Sequence, residues 1–447
     1  MKLVILDGTT PNLPVAEHLL AVAALAGAEV EHFTLVESRL APCLGDFECW
    51  IKTPGLCRTQ DGINDIMQAL HTADLAVFLT PIVFGGYSVE LKKAVDRQIG
   101  LVQPFFHDRD GLTRHVARYR RYARLLFIGV RQGTDEAAAD TFRELTAGNA
   151  INLLAPSFQT RIVALDDARW AGETEAALLA GLHGTASDPL PPIDRAALFR
   201  ACAPDSTLAA ATQPVKTVAV LIGSARPKGS STSESLARAL IADLEKGGAE
   251  VSLVFASQFI KPGRMADAAL ATMLKADLLV ISTPLYVDGL PALVTRALDW
   301  LAQRLGQESH ALRAVAGLLN SGYPEAVHNR IAMRLLRNFA RESGLGWAGG
   351  LALGGGEIIH GRPLTDVRWL ARRPSRALRL AGQALAAGQG IPEAAIQLMA
   401  RPLVPSWLFR LVARVRWLRH GRRHGVDGQA LVAQTFVALA EPEKVGD

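Results

Sequence analysis

Residues 223–233 read Gly-Ser-Ala-Arg-Pro-Lys-Gly-Ser-Ser-Thr-Ser, between an apolar run and a helix-length stretch. A strand that hands over to a helix through such a loop brings backbone N–H groups, hydroxyls and the helix N-terminus to one point, which suits a phosphate. Gly223 and Gly229 permit sharp turns. Ser224, Ser231 and Thr232 supply hydroxyls, and Arg226 with Lys228 supplies charge. The loop is not a Walker loop, and it lacks G-x-G-x-x-G. A serine-rich helix N-cap with no ligand is the plainer alternative.

A second loop occurs twice. Thr283, Pro284, Leu285, Tyr286, Val287, Asp288, Gly289, Leu290 and Pro291 match Thr80, Pro81, Ile82, Val83, Phe84, Gly85, Gly86, Tyr87 and Ser88. The longer stretches 73–99 and 276–302 align without gaps at an offset of 203. Nine of the 27 positions are identical, including the Thr-Pro pair, Gly86/Gly289 and Asp96/Asp299. Upstream, LVILDG (3–8) matches AVLIG (219–223) as an apolar run ending in glycine. Identity at these positions argues for tandem duplication over the general likeness of any two strand–turn–helix segments.

The elements that must position these loops follow from the pattern. Strands are expected at 216–222, 249–255, 277–283, 312–319 and 347–353 in the second copy, with helices at 231–247, 266–274, 290–305, 324–343 and 364–387. The first copy places strands near 2–7, 29–36, 75–80, 124–130 and 159–165. Short buried strands alternating with helices imply parallel sheets with right-handed crossovers, hence an α/β chain of two doubly wound five-stranded sheets. Ligands of such sheets sit beyond the carboxyl ends of the strands, where the loops after strands one and three meet. The expected domains are 1–184, a Pro/Ser/Thr-rich linker at 185–215, 216–388, and a basic helical extension at 389–447.

With these motifs in place, both halves resemble the flavodoxin-like NAD(P)H-dependent FMN reductases, a family that includes iron–sulfur flavoproteins and quinone and nitro reductases. G-S-x-R-x-x-G-x-[ST] at 223–231 is similar to that family's FMN phosphate loop, and the T-P-x-[YF]-type loops at 80–88 and 283–291 to its flavin-ring loop. The resemblance implies FMN as cofactor, NAD(P)H as co-substrate, and electron transfer through flavin to a small acceptor such as a quinone or free flavin. The implied FMN-binding residues are Gly223, Ser224, Arg226, Gly229, Ser231, Thr232, Thr283, Pro284, Leu285, Tyr286 and Gly289, with Thr80, Pro81, Phe84, Gly85, Gly86 and Ser88 in the first half. The first half's phosphate loop is only Asp7-Gly8-Thr9-Thr10-Pro11-Asn12, with no arginine and an acid that repels phosphate. One competent site, in the second half, and one weakened site are expected, with FMN in both halves left open. The competing class is a non-catalytic flavodoxin-like module with degenerate FMN sites. No catalytic side chain stands out: the eleven histidines show no H-E-x-x-H, and G-x-S-x-G is absent.

Cys43, Cys49 and Cys57 lie in CLGDFECWIKTPGLC. They resemble the compact cysteine run of iron–sulfur flavoproteins, but Asp46 replaces the second cysteine, so an iron–sulfur cluster is not expected. Cys202 falls in the linker and suggests no role.

The formal charge is +5, yet residues 361–425 alone carry +11, from thirteen arginines against Asp366 and Glu393. Arg368, Arg372, Arg376 and Arg379 are expected as one solvated face of a helix, opposite Leu370, Ala371, Leu378 and Ala381. In residues 402–425, Trp407, Leu411, Val415 and Leu418 line up at helical spacing, with Arg410 and Arg414 on another face. Docking on the body or a sister subunit, with Trp407 and Trp417 buried, is favoured over an anionic membrane surface, and nucleic acid ranks last. A homo-oligomer or an intrachain pseudo-dimer is expected. Apolar residues at 49% and charged residues at 20% are ordinary globular composition. With no stretch near the roughly 18 apolar residues of a membrane span and no signal peptide in MKLVILDGTT, a cytoplasmic location is expected.

Overall fold

The computed structural model describes residues 1–131, 133, 135–206 and 214–440, without the side chains of 368 and 438–440. The chain divides into two compact units. Met1–Pro42, Asp46–Pro191 and Arg410–Asp447 form the first, and Cys43–Gly45 with Pro192–Phe409 the second.

The first unit holds β1 (Lys2–Asp7), β2 (Glu29–Thr34), β3 (Leu75–Pro81), β4 (Val102–Arg109), β5 (Leu112–Ala117), β6 (Arg124–Arg131) and β7 (Phe158–Ala164). Its five-stranded parallel sheet runs β2-β1-β3-β6-β7. The second unit holds β8 (Thr217–Ile222), β9 (Glu250–Phe255), β10 (Leu278–Pro284), β11 (Ala314–Asn320) and β12 (Gly346–Leu353), ordered β12-β11-β10-β8-β9. Numbered within each half, both sheets have the order 2-1-3-4-5, the doubly wound flavodoxin-like arrangement. Equal strand order is what a duplication requires.

Central strands such as β3 and β10 are mostly apolar and buried on both faces, whereas the edge strands β2 and β9 are largely exposed or half-buried. Leu3, Ile5, Leu75, Val77, Leu126 and Ile128 pack under Val15, Leu19 and Leu178 of the flanking helices. Burial of each such side chain contributes roughly 1.5–3 kcal/mol. In the Arg368–Ala386 helix, Arg372, Arg376 and Arg379 are exposed while Ala371, Leu378 and Ala381 are buried, as the spacing requires; the side chain of Arg368 lies outside the described residues.

Two elements go beyond the sequence expectation. The antiparallel hairpin β4–β5 is inserted in the first half, turning on Asp110 and Gly111, both in the left-handed region (φ 55° and 73°). The segment expected as a linker contains the helix Ala196–Cys202, which packs into the second unit. Cys202 is fully buried there, its thiol pKa pushed up by burial, and Trp347 Nε1 donates to Ala201 O at 3.1 Å. Residues 207–213 of that segment lie outside the described residues.

The C-terminal helix Ser406–Arg423 docks on the first unit through Arg410 onward. Trp417 is 8% exposed and meets Phe47 and Trp50 edge-to-face at 5.6 and 5.4 Å. Arg410 pairs with Asp108 at 3.1 Å, and the Arg414 guanidinium lies 5.3 Å from the Phe105 ring centroid. The buried Arg118 donates to the carbonyls of Gly100 (2.7 Å), Leu431 (3.2 Å) and Ala433 (2.8 Å). Docking is therefore found, with Trp417 buried as expected, but most of the expected apolar face turns outward. Trp407, Leu411 and Val415 are 63%, 55% and 43% exposed, only Leu418 of that face packs against the first unit's cluster, and Arg410 and Arg414 are on the docking side. Aromatic rings and an aspartate on the hairpin receive guanidinium groups well, which the helix's own pattern does not reveal.

Candidate functional site

In the second unit the ends of β8, β10 and β11 converge on the N-terminus of the Thr232–Lys246 helix. Gly223 N–H donates to Ser282 O at 2.7 Å, closing the turn after β8 against β10. A Cβ on Gly223 would lie 2.3 Å from Thr283 Oγ1, so this approach needs glycine. Ser231 caps the helix, accepting Glu234 N–H at 3.2 Å, and the Glu234 side chain reaches back to take the N–H of Gly229 at 2.6 Å. Gly229 stands at φ +80°. Ser224 accepts from Arg226 N–H at 3.3 Å, and Thr232 donates its hydroxyl to Gly356 O at 2.8 Å. Ser224, Ser231, Thr232 and Ser233 are all buried. The first-turn N–H groups of a helix have no intrahelical acceptors and carry its positive dipole end.

Arg226 is anchored over this turn. Its Nε donates to Gly45 O at 2.9 Å, and its guanidinium lies 3.6 Å from Glu357 Oε1, both partners belonging to the second unit. Gly45, at φ +68°, stands so close to Tyr286 that a Cβ would fall 1.9 Å from the phenol oxygen. The short segment Cys43–Gly45 thus touches both the arginine of one loop and the tyrosine of the other.

The paired ring loops have one geometry. Tyr286 and Gly289 exchange backbone hydrogen bonds at 3.0 Å around Val287 (φ 42°) and Asp288 (φ 61°). Val83 and Gly86 do the same at 3.0 and 2.7 Å around Phe84 (φ 54°) and Gly85 (φ 87°). Both are tight two-residue turns with two left-handed residues. A β-branched valine at positive φ is strained. Leu285 N–H donates to Asn320 O at 2.8 Å, and Thr283 Oγ1 to Pro284 O at 3.2 Å. In the first unit, Thr80 Oγ1 donates to Pro81 O and accepts from Ser88 N–H, both at 2.8 Å. Ser88 Oγ donates to Gly8 O at 2.8 Å.

The first half's counterpart of the phosphate loop is closed by its own carboxylate. Asp7 accepts the N–H and hydroxyl of Thr9, and His32 Nε2 stands 3.4 Å away. Cys43 groups with the second unit, Cys49 and Cys57 with the first; all three are half-buried and free of disulfides. Arg97 donates to Cys57 Sγ at 3.1 Å while pairing with Asp61 at 2.5 Å. Among the described residues no group of three or more His, Cys, Asp or Glu side chains is placed to hold a metal ion.

Sequence reasoning missed Asn320 and Glu357. Asn320 Nδ2 donates to Ser233 Oγ at 2.8 Å and Thr283 O at 3.3 Å, tying β11 to both loops. Its place at the carboxyl end of the fourth strand is the signal that would have found it.

A family model described as NADPH-dependent FMN reductase matches residues 1–161 and 216–346. An iron–sulfur flavoprotein of Methanocaldococcus jannaschii is 36% identical over 91 residues, which is 20% of this chain and 45% of that protein, so the chain spans less than half the length of this curated relative. Solved structures that match part of the chain include an NAD(P)H:quinone oxidoreductase from Methanothermobacter marburgensis, with 15% identity over 40% of this chain and 97% of that one (TM-score 0.33). An FMN-dependent NADH-azoreductase from Bacillus anthracis str. Ames Ancestor shares 16% identity over 41% of this chain and 99% of that one (TM-score 0.31).

Proposed function

Because the chain belongs to the NADPH-dependent FMN reductase family, we propose that it is an FMN-dependent NAD(P)H oxidoreductase whose cofactor binds in the second half. The electrons pass to a small acceptor such as a quinone or free flavin. The carrying observation is the contrast between the two turns: the first is filled by Asp7, whereas the second gathers Ser224, Ser231, Thr232 and a helix N-terminus with Arg226 above them. That donor set fits a phosphate monoester, which needs several N–H and O–H donors and one guanidinium.

Bound FMN would supply hydride acceptance from NAD(P)H and electron delivery to the acceptor. The chain's own part is to hold and orient. Arg226, Ser224 and Ser231 would take the phosphate together with the first-turn N–H groups, Thr232 through its backbone N–H because its hydroxyl is given to Gly356 O. The Thr283–Gly289 turn would offer backbone groups to the flavin edge, with Thr283 and Asn320 fixing the turn. In the first half, Thr80, Pro81, Phe84, Gly85, Gly86 and Ser88 build an equivalent turn without a phosphate seat, which favours a non-catalytic role for that half.

The test is spectroscopic and kinetic. Purified protein should show flavin absorption or take up added FMN, and should oxidise NAD(P)H with quinone, ferric or nitroaromatic acceptors. Colourless protein that refuses FMN would return the chain to the non-catalytic reading.

A further inference from the structure

The docked C-terminal helix presents an unusual outer face. Trp407, Leu411, Val412 and Val415 are 63%, 55%, 56% and 43% exposed over its first turns, although the opposite face already buries Phe409 and Trp417. The same outer face continues into Arg419, Arg422 and Arg423, all exposed and none in an ion pair among the described residues. No acidic residue occurs between Glu393 and Asp427. A soluble surface ordinarily disperses large apolar side chains, and a contiguous apolar stripe beside unpaired cations calls for a partner.

We propose that this face lies on an anionic lipid bilayer surface, with Leu411, Val412, Val415 and Trp407 entering the headgroup–acyl boundary and the arginines engaging lipid phosphates. No helix among the described residues is long and apolar enough to cross a membrane, so the helix lies in the interface plane. The chemistry favours lipid over the other occupants. A symmetric contact with a second copy would bring two arginine clusters together with no acid between them. Nucleic acid would engage the arginines and leave the leucine and valines in water. A bilayer satisfies both halves of the face, since arginine stems lie along apolar surface while their heads reach phosphates.

The experiment is co-sedimentation of the full chain at physiological salt with phosphatidylcholine vesicles, with and without phosphatidylglycerol. The protein should pellet with the anionic vesicles and stay in solution with the neutral ones. Leu411→Ser with Val415→Ser should release it, and Arg419→Ala or Arg422→Ala should each lower the vesicle partition constant about fivefold. These positions are exposed, and an unchanged thermal unfolding midpoint would show that the fold persists. The proposal is overturned by no pelleting, by pelleting indifferent to the apolar substitutions, or by duplex DNA binding that needs only the arginines. Dimerisation abolished by Leu411→Ser without vesicle binding assigns the face to a second copy and equally overturns it.

Discussion

Asp7 Oδ1 accepts two hydrogen bonds from one residue, the backbone N–H of Thr9 at 2.8 Å and its hydroxyl at 2.6 Å. At the matching position of the second half stands the buried Ile222, which makes no such claim on the turn. A carboxylate seated on the second N–H after the strand, that of Thr9, repels a phosphate and takes its donor. We therefore expect one FMN per chain. Asp7→Asn should leave the flavin content unchanged, while Ser231→Ala with Arg226→Ala should abolish it. Absorbance of the denatured, released cofactor against protein concentration measures this, and a ratio near two would refute it.

Arg226 and Glu357 provide a finer test. Arg226→Ala should weaken FMN binding by about 1–3 kcal/mol, the loss of a charge-assisted hydrogen bond. Glu357→Gln should strengthen it, because the carboxylate 3.6 Å from the guanidinium competes with phosphate for it. Fluorescence titration of apoprotein with FMN separates the two signs. Weaker binding in Glu357→Gln would mean that the acid positions the arginine instead.

Val287 holds a conformation that suits glycine (φ 42°). Val287→Gly should relieve about 1 kcal/mol of backbone strain, offset in part by the greater freedom of the unfolded glycine. A raised thermal midpoint with weakened FMN binding would show that the strained turn is kept for the cofactor. A lowered midpoint would contradict the strain argument.

His71 lies 4.1 Å from the Tyr119 ring, with Phe436 of the C-terminal segment at 6.2 Å. Burial, then the Arg121 charge, push its imidazole pKa below the ordinary value. As pH falls, the unfolded chain therefore takes up this proton first, near pH 6.5. Stability is full above that pH and declines below it, down to the lowered folded value. His107 is lowered as well, by burial and then by Arg109. His71→Phe should reduce, without abolishing, the drop in unfolding midpoint between pH 7.5 and 5.5. An unchanged drop would place the linkage elsewhere.

The two sheets, the strand ends and the repeat were legible in the chain because buried parallel strands must be apolar and the turns between them need glycine, proline or serine. The Thr-Pro loops at 80–88 and 283–291 and the serine-rich turn at 223–233 could be read for the same local reason. The β4–β5 hairpin was also legible, since Asp110-Gly111 is a strong two-residue turn signal, although the helix–strand alternation passed over it. Other features depended on residues far apart in sequence. Arg226 meets Gly45 across 181 positions and Glu357 across 131, so its local motif could not say which groups hold it. Periodicity identified Trp407, Leu411 and Val415 as one face of a helix. Which face turned inward was decided by Phe105, Asp108 and Trp50 on the first unit, which receive Arg414, Arg410 and Trp417. A helical repeat specifies which side chains lie together, and only the surface it meets determines which of its sides is buried.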